Sequence, residues 1–238
     1  MKKVEVILLA IVAFGFHHNI NAQNMNNVLD KKQQKIVTIA ANTAVGNLEA
    51  LKTELNAGLD AGLTVNQIKE ILVQMYAYCG FPRSLQGINI FMAVTDDRKA
   101  KGIRDEIGPD ASPITDTGDK YARGKATLQH LTGVEEKIPA GANAFAPAID
   151  VFLKEHLFAD IFDRDILTYR ERELATISAL AAMKGVEPML QGHLNMGMNV
   201  GLTEEQLNEV MAIIGKNIGS EQETTGKRIL EQVVRNRK

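Results

Sequence analysis

The stretch ELNAGLDAGLT, from Glu54 to Thr64, has a near copy in HLNMGMNVGLT, from His193 to Thr203. The two share the residues L, N, G, G, L and T at the same places. A glycine just past the last turn commonly ends a helix, and a threonine soon after it is a good N-cap for the next. Each stretch therefore predicts a helix, a tight turn and a second helix, and the chain contains this joint twice.

The repeat extends on both sides of that joint. LDKKQQKIVTIAA (Leu29–Ala41) is similar to LTYRERELATISA (Leu167–Ala179), and VNQIKEILVQMYAYCG (Val65–Gly80) is similar to EEQLNEVMAIIGKNIG (Glu204–Gly219). Apolar residues recur at helical spacing, for example in Val65–Tyr78 and Ala146–Phe162, whereas Ile138–Pro147 is expected to be irregular, and strict two-residue alternation is scarce. The sequence thus predicts an all-α helical bundle built from two tandem three-helix modules.

We divide the chain into a signal peptide (1–22), a first module (23–105), a connector with helices (106–165) and a second module (166–238). A basic start precedes an apolar run at Val6–Phe16, which is too short to span a bilayer, and Ile20-Asn21-Ala22 resembles a cleavage site. We therefore expect an exported, periplasmic protein that is free of the membrane after cleavage. The alternative is an uncleaved anchor.

Composition excludes several classes of function. The net charge is −2 and there is no long basic run, so we expect no nucleic-acid partner. No glycine-rich phosphate loop is present. The histidines His130, His156 and His193 lack the spacing of helical metal ligands, so no metal site is predicted. With one cysteine, Cys79, the chain has no internal disulfide.

Several short motifs resemble one known family, the carboxymuconolactone decarboxylase family, which includes the alkyl hydroperoxidase D-like proteins. The motifs are Arg172-Glu173-Leu174, His193, Gly201-Leu202-Thr203, Tyr78-Cys79-Gly80-Phe81-Pro82 and the lead-in FADIFDRDIL (Phe158–Leu167). The resemblance implies an all-α bundle that assembles as a homo-oligomer, a trimer or hexamer. It also implies a small-molecule substrate, and either lactone decarboxylation without a cofactor or thiol-dependent peroxide reduction.

The thiol-dependent branch of that family carries a C-x-x-C pair just before the histidine. The matching positions hold Val186 and Met189 in the second module, and Asn47 and Ala50 in the first. A thiol peroxidase needs a reactive thiolate and a resolving cysteine, so this departure argues against peroxide reduction. Cys79 lies at the end of an apolar helix, where a small structural side chain is the alternative to a site residue.

His193 and Glu173 are the predicted catalytic pair. His193 lies on an apolar helical stripe, where an isolated charge is costly, so it needs a partner or a cavity. With a turn near Gly185, Glu173 and His193 differ by about 6 Å in height along an antiparallel helix pair. A carboxylate there orients the imidazole for acid–base work. The alternative is a core histidine that holds two helices together.

The first module carries Lys35 and Glu54 at the matching positions, so any pair there has reversed polarity. We therefore expect the second module to hold the active site and the first to be partly structural. Glu54 is alternatively a contributor to the substrate cavity.

A decarboxylase must also hold the substrate's carboxylates. Arg164 and Arg83 are candidate clamps, because a guanidinium grips a carboxylate with two hydrogen bonds. Ordinary ion pairs are the alternative for both, and Tyr78 is a candidate for polarising an oxygen. The prediction is a cofactor-free lyase for a small carboxylated lactone or related acid. Its alternatives are a peroxiredoxin-like antioxidant protein and a non-catalytic oligomeric binding protein.

Overall fold

A computed structural model describes residues 28–116 and 118–237, and over these residues the protein is helical without strands. The predicted signal peptide lies outside the described residues. The helices are α1 (Lys31–Val45), α2 (Leu48–Asp60), α3 (Val65–Gln74), α4 (Tyr76–Ala100), α5 (Lys120–Thr132), α6 (Gly141–Phe145), α7 (Pro147–Val151), a π-helix (Phe152–Ile161), α8 (Tyr169–Ala182), α9 (Glu187–Asn199), α10 (Glu204–Asn217) and α11 (Ser220–Asn236). The predicted all-α class is confirmed.

The two joints that open the sequence have the same local structure. Gly62 and Gly201 have φ angles of 90° and 95°, a left-handed conformation that glycine adopts at little cost. Thr64 and Thr203 then cap α3 and α10, each in a reciprocal pair of hydrogen bonds with the glutamine three residues on. Helices α1–α3 and α8–α10 therefore correspond in order.

One hydrophobic core serves both sets of helices, since α1 packs along α8 at the centre of the bundle. A smaller cluster joins α5 to the π-helix and comprises Leu131, Leu157, Phe158, Ile161 and Phe162. Tyr78 packs against both clusters, so it lies where the two meet. Among the described residues, no helix has the length and apolar character needed to cross a bilayer.

Three local predictions differ from the structure. The helix expected from Val65 to Tyr78 ends at Gln74, and α4 is kinked at Gly80, where φ is 82° and ψ is 159°. Pro82 fits this break, because its missing N–H then lies in the first turn after Gly80, whereas in an unbroken helix its ring would clash with the carbonyl of Tyr78. The segment expected as one α-helix up to Phe162 is mainly a π-helix, and α6 forms in a stretch expected to be irregular.

Candidate functional site

The candidate site is centred on an imidazole bonded to a carboxylate. His193 on α9 places Nδ1 2.8 Å from Oε2 of Glu173 on α8. Glu173 is fully buried and His193 is 8% exposed. The turn that joins the two helices contains Gly185 with a φ of 79°. The two side chains therefore meet across an antiparallel helix pair and close the height difference of about 6 Å that the helical rise predicts.

The geometry fixes which imidazole nitrogen is free for chemistry. A carboxylate accepts hydrogen bonds and does not donate them, so Nδ1 of His193 carries the proton toward Glu173. That arrangement leaves Nε2 to exchange a proton with a bound molecule. Glu173 thus orients the ring rather than reacting itself.

Tyr78 completes the site from α4. Its ring meets the His193 ring edge-on, with centroids 5.4 Å apart. Burial raises the pKa of the Tyr78 phenol and the negative charge of Glu173 raises it further, so the phenol stays protonated at neutral pH. Its hydroxyl oxygen is buried close to the Thr176 side chain, which acts to lower that pKa, but the two side chains do not form a well-aligned hydrogen bond. A neutral O–H donor therefore lies beside the imidazole.

Glu173 has an unpartnered atom as well. Oε2 accepts from His193, whereas Oε1 is buried without a hydrogen bond to any described residue. An unbonded buried carboxylate oxygen is costly, so the position favours a donor supplied by a water molecule or a substrate. Tyr78 and Glu173 thus offer one donor and one acceptor beside the same imidazole.

A buried network that the sequence analysis missed holds the α8 turn carrying Glu173. Arg172, fully buried, donates to Glu70 and to Gln74 on α3, both at 2.8 Å. Gln74 in turn donates to the Arg172 carbonyl at 3.0 Å and to the Thr176 hydroxyl at 2.9 Å. Helix α3 therefore forms hydrogen bonds with Arg172 and Thr176, which lie on either side of Glu173 in α8. The sequence feature that pointed to this network was Glu70, which precedes the apolar run Ile71-Leu72-Val73 in α3.

The two predicted arginine clamps have other partners. Arg164 directs Nε at both carboxylate oxygens of Glu70, at 3.0 and 2.9 Å, and it also lines an open cavity of about 630 Å³. The Arg83 guanidinium lies over Gly46 at the C-terminal end of α1, close enough that an added Cβ would overlap it. None of these contacts involves His193, and the clamp role of each arginine stays a prediction.

The counterpart pair in the first set of helices has the reversed polarity expected. Lys35 donates to Oε2 of Glu54 at 2.8 Å, and the Thr38 hydroxyl donates to the same oxygen at 2.6 Å. Both charged side chains are partly exposed. The Glu54 carboxylate is thus satisfied within its own helix pair, and its part in a substrate cavity stays a prediction.

Cys79 has the surroundings of an unreactive thiol. Its Sγ donates to the Met75 carbonyl at 3.0 Å, and burial raises the pKa of the thiol to about 11 despite the nearby positive charge of Arg83. A thiolate, the reactive form, is therefore scarce at neutral pH.

A cavity of about 280 Å³ opens beside the start of α4, and neither Tyr78 nor His193 is among its lining residues. Ala77 and Gly80 line it, together with Phe81 and Phe152, and its wall is largely apolar. Among the described residues, no group of three or more histidine, cysteine or carboxylate side chains is arranged to hold a metal ion.

Comparison with known proteins agrees with the duplicated helical architecture. The chain matches the carboxymuconolactone decarboxylase family over residues 10–92 and 147–232, one segment for each set of helices. The first matched segment begins inside the stretch that we predict to be a signal peptide.

Three curated proteins are similar at low identity. Peroxisomal protein 2 of Saccharomyces cerevisiae is 23% identical over 62% of this chain and 59% of its own length. The chain thus spans little more than half of that relative. Peroxisomal protein 2 of Schizosaccharomyces pombe is 24% identical over 80% of this chain and 87% of its own length. The uncharacterized protein MJ1511 of Methanocaldococcus jannaschii is 26% identical over 29% of this chain and 65% of its own length.

The two matched segments cover most of the chain, and each contains one copy of the helix–turn–helix joint that recurs in the sequence. The protein therefore belongs to the carboxymuconolactone decarboxylase family as a tandem two-module member.

Proposed function

We propose that this protein is a cofactor-free acid–base enzyme, a lyase that removes CO₂ from a small carboxylated lactone or a related acid. The observation that carries the proposal is the buried His193–Glu173 pair with the protonated Tyr78 phenol beside it. Membership of the family supports the reaction class. The two peroxisomal relatives bear names that specify no reaction.

The chemistry assigns one role to each residue. The bond between carbon and the departing carboxylate breaks, CO₂ leaves, and the electron pair is delocalised toward a carbonyl of the substrate. The Tyr78 hydroxyl donates to the oxygen on which negative charge develops. Protonated His193 then delivers the proton from Nε2 to carbon, and Glu173 holds the resulting neutral ring in its Nδ1–H tautomer.

Thiol-dependent peroxide reduction has less support. The cysteine-pair positions hold Val186 and Met189, and the single thiol, Cys79, has its pKa raised to about 11 by burial. A thiolate nucleophile with a resolving partner is thus missing from the residues that the family would use.

We also propose that the mature protein is periplasmic and homo-oligomeric, a trimer or a hexamer. The basic and apolar segments of residues 1–22 support export. Exposed aromatic side chains support assembly, because Phe81, Phe145 and Phe152 are 61%, 93% and 64% exposed in the single chain. Mass spectrometry of the mature N-terminus and sedimentation velocity test the two statements separately.

The decisive experiment measures CO₂ release and the ultraviolet change on incubation with carboxymuconolactone. We expect His193→Ala to lower kcat by about 10²- to 10⁴-fold, the usual contribution of a general acid. Glu173→Gln should lower kcat, because the ring loses the carboxylate that orients it, and a parallel rise in KM would show that the free Oε1 also holds the substrate.

His130→Ala is the matched control, since this exposed histidine lies on α5 and faces Tyr169 rather than the pair. It should retain full activity. Equal activity of wild type and His193→Ala would refute the assignment of the acid. A ligand that raises the melting temperature without being converted, together with no turnover, would favour a binding protein instead.

A further inference from the structure

A second concave site lies away from His193, in the first set of helices and the segment after it. It is a groove of about 440 Å³ between the start of α3, the C-terminal half of α4 and residues 103–107. We call it the α3–α4 groove. Its apolar lining consists of Val65, Ile88, Phe91, Met92, Ile103 and Ile107. Its volume falls within the range of about 300–1,000 Å³ that small-molecule sites occupy.

The loop wall of this groove is fixed by the fold. The backbone N–H groups of Val65 and Asn66 donate to the carbonyls of Glu106 and Ile107, both at 2.9 Å. The Asn66 side chain, itself largely buried, donates to the carbonyls of the next two residues of the loop at 3.1 and 3.0 Å. The groove is therefore already formed without a ligand, which lowers the cost of binding.

The apolar surface in the groove is open to solvent. Met92 is 58% exposed, Ile103 41% and Ile107 60%, although each belongs to a chemical type that usually seeks burial. Contiguous exposed apolar surface in a concave site marks a place where another apolar group binds.

The charged residues at this groove are predominantly positive. Lys69, Lys99 and Arg104 line it, and no ion pair of the described residues involves any of the three. Asp105 is the one acidic side chain among the described lining residues. Its carboxylate accepts three hydrogen bonds of 2.8–3.1 Å from Arg98, which also donates to Asp60, and the three lining cations still leave an excess of positive charge in the groove.

We propose that the α3–α4 groove binds an amphipathic anion, a free carboxylate with an unbranched apolar tail of medium length. The tail covers the exposed Met92, Ile103 and Ile107, and the carboxylate lies among Lys69, Lys99 and Arg104. Neither an apolar molecule nor a small polar anion matches both halves of the lining. The site is separate from the proposed reaction at His193 and stands whether or not that reaction occurs.

Isothermal titration calorimetry of residues 23–238 with decanoate tests the proposal. We expect saturable binding of one molecule per chain. Affinity should rise by about four-fold for each methylene added between octanoate and dodecanoate, the effect of burying that group. Decanol, which has the same tail without the charge, should bind more weakly, and added salt should reduce that difference.

Met92→Glu should abolish binding of decanoate, because it places a negative charge on the apolar floor. Met189→Glu is the matched control: Met189 is 57% exposed, against 58% for Met92, but lies on α9 outside the groove. Should Met92→Glu fail to fold by circular dichroism, the triple change of Lys69, Lys99 and Arg104 to glutamine serves instead. This triple variant should lower the affinity for decanoate by about two- to five-fold for each cation removed.

Three results would overturn the proposal. The first is decanoate binding equally to Met92→Glu and Met189→Glu. The second is decanol binding as tightly as decanoate, which would leave the cations without a role. The third is no binding of decanoate by the wild type, whether or not the chain self-associates. Self-association of the wild type but not of Met92→Glu in sedimentation would then indicate that a second copy of the chain covers the groove.

Discussion

Glu70→Gln tests the buried network behind the candidate site. Arg172 is fully buried, and Glu70, 2% exposed, is its charged partner at 2.8 Å. Burial lowers the pKa of the Arg172 guanidinium, and its interaction with Glu70 opposes that shift. Glutamine keeps the volume and one acceptor of Glu70 but removes the charge. A buried guanidinium then remains without a counter-ion, which costs about 3–5 kcal/mol.

Chemical denaturation with urea, followed by circular dichroism, measures this loss in the free energy of unfolding. For a chain of this size the same loss lowers the melting temperature by about 6–20 °C. Arg164→Gln is the control, because its side chain also bonds to Glu70 but is 42% exposed. We expect it to cost at most about 1 kcal/mol.

The double variant Glu70→Leu with Arg172→Met should recover part of the loss, because it leaves no buried charge unpaired; Arg164 loses its partner but is 42% exposed. A loss below about 1 kcal/mol for Glu70→Gln would refute the reasoning. So would an equal loss for Arg164→Gln, since the exposed arginine would then matter as much as the buried one.

Gly124→Ala should destabilise the fold by about 1–3 kcal/mol, because its Cβ would lie 1.8 Å from the Lys154 backbone oxygen. Gly192→Ala, with nothing within 4 Å of the new Cβ, should instead stabilise the fold by up to about 1 kcal/mol. Urea denaturation that gives both variants a change of the same sign in the free energy of unfolding would contradict this. Iodoacetamide should alkylate Cys79 slowly at pH 8, because a thiol whose pKa is about 11 is about one part in a thousand ionised there. The alkylation rate should rise about tenfold for each added pH unit. Rapid alkylation of the folded protein at pH 8 would argue against burial of the thiol. Burial raises the pKa of Asp150, but hydrogen bonds from Lys154 and Tyr121 outweigh it and hold that pKa below the ordinary value. A carboxylate whose pKa is lower in the folded than in the unfolded state stabilises the fold at pH values above its unfolded-state pKa. The free energies of unfolding of wild type and Asp150→Asn should therefore converge as the pH falls below about 4. A constant difference down to pH 2 would show that the Asp150 charge is not responsible.

Much of the candidate site was predictable because its central contact joins neighbouring helices. Glu173 and His193 flank one tight turn, and the regular rise of a helix sets their relative height. The same reasoning identified the reversed pair of Lys35 and Glu54, whose helices flank the matching turn. The catalytic roles of these residues stay predictions.

The residues that surround this pair were harder to identify. Gln74 and Glu70 reach Arg172 across about a hundred positions of the chain, and a periodic pattern carries no information on such a contact. Arg164 was a candidate clamp on residue type alone, whereas packing places its guanidinium against Glu70. The α3–α4 groove likewise depends on where the loop after α4 returns to the start of α3.

The sequence by itself determined the helical class, the duplicated joint and the relative height of Glu173 and His193 along their helix pair. Those features depend on caps, on glycine at positive φ and on helical period, which act within a few residues. Tertiary structure alone decided that Tyr78 meets His193, that Gln74 holds the turn around Glu173, and that three cations surround one apolar groove. Side chains distant in the chain become neighbours only when the burial of apolar surface brings α3, α4 and α8 together.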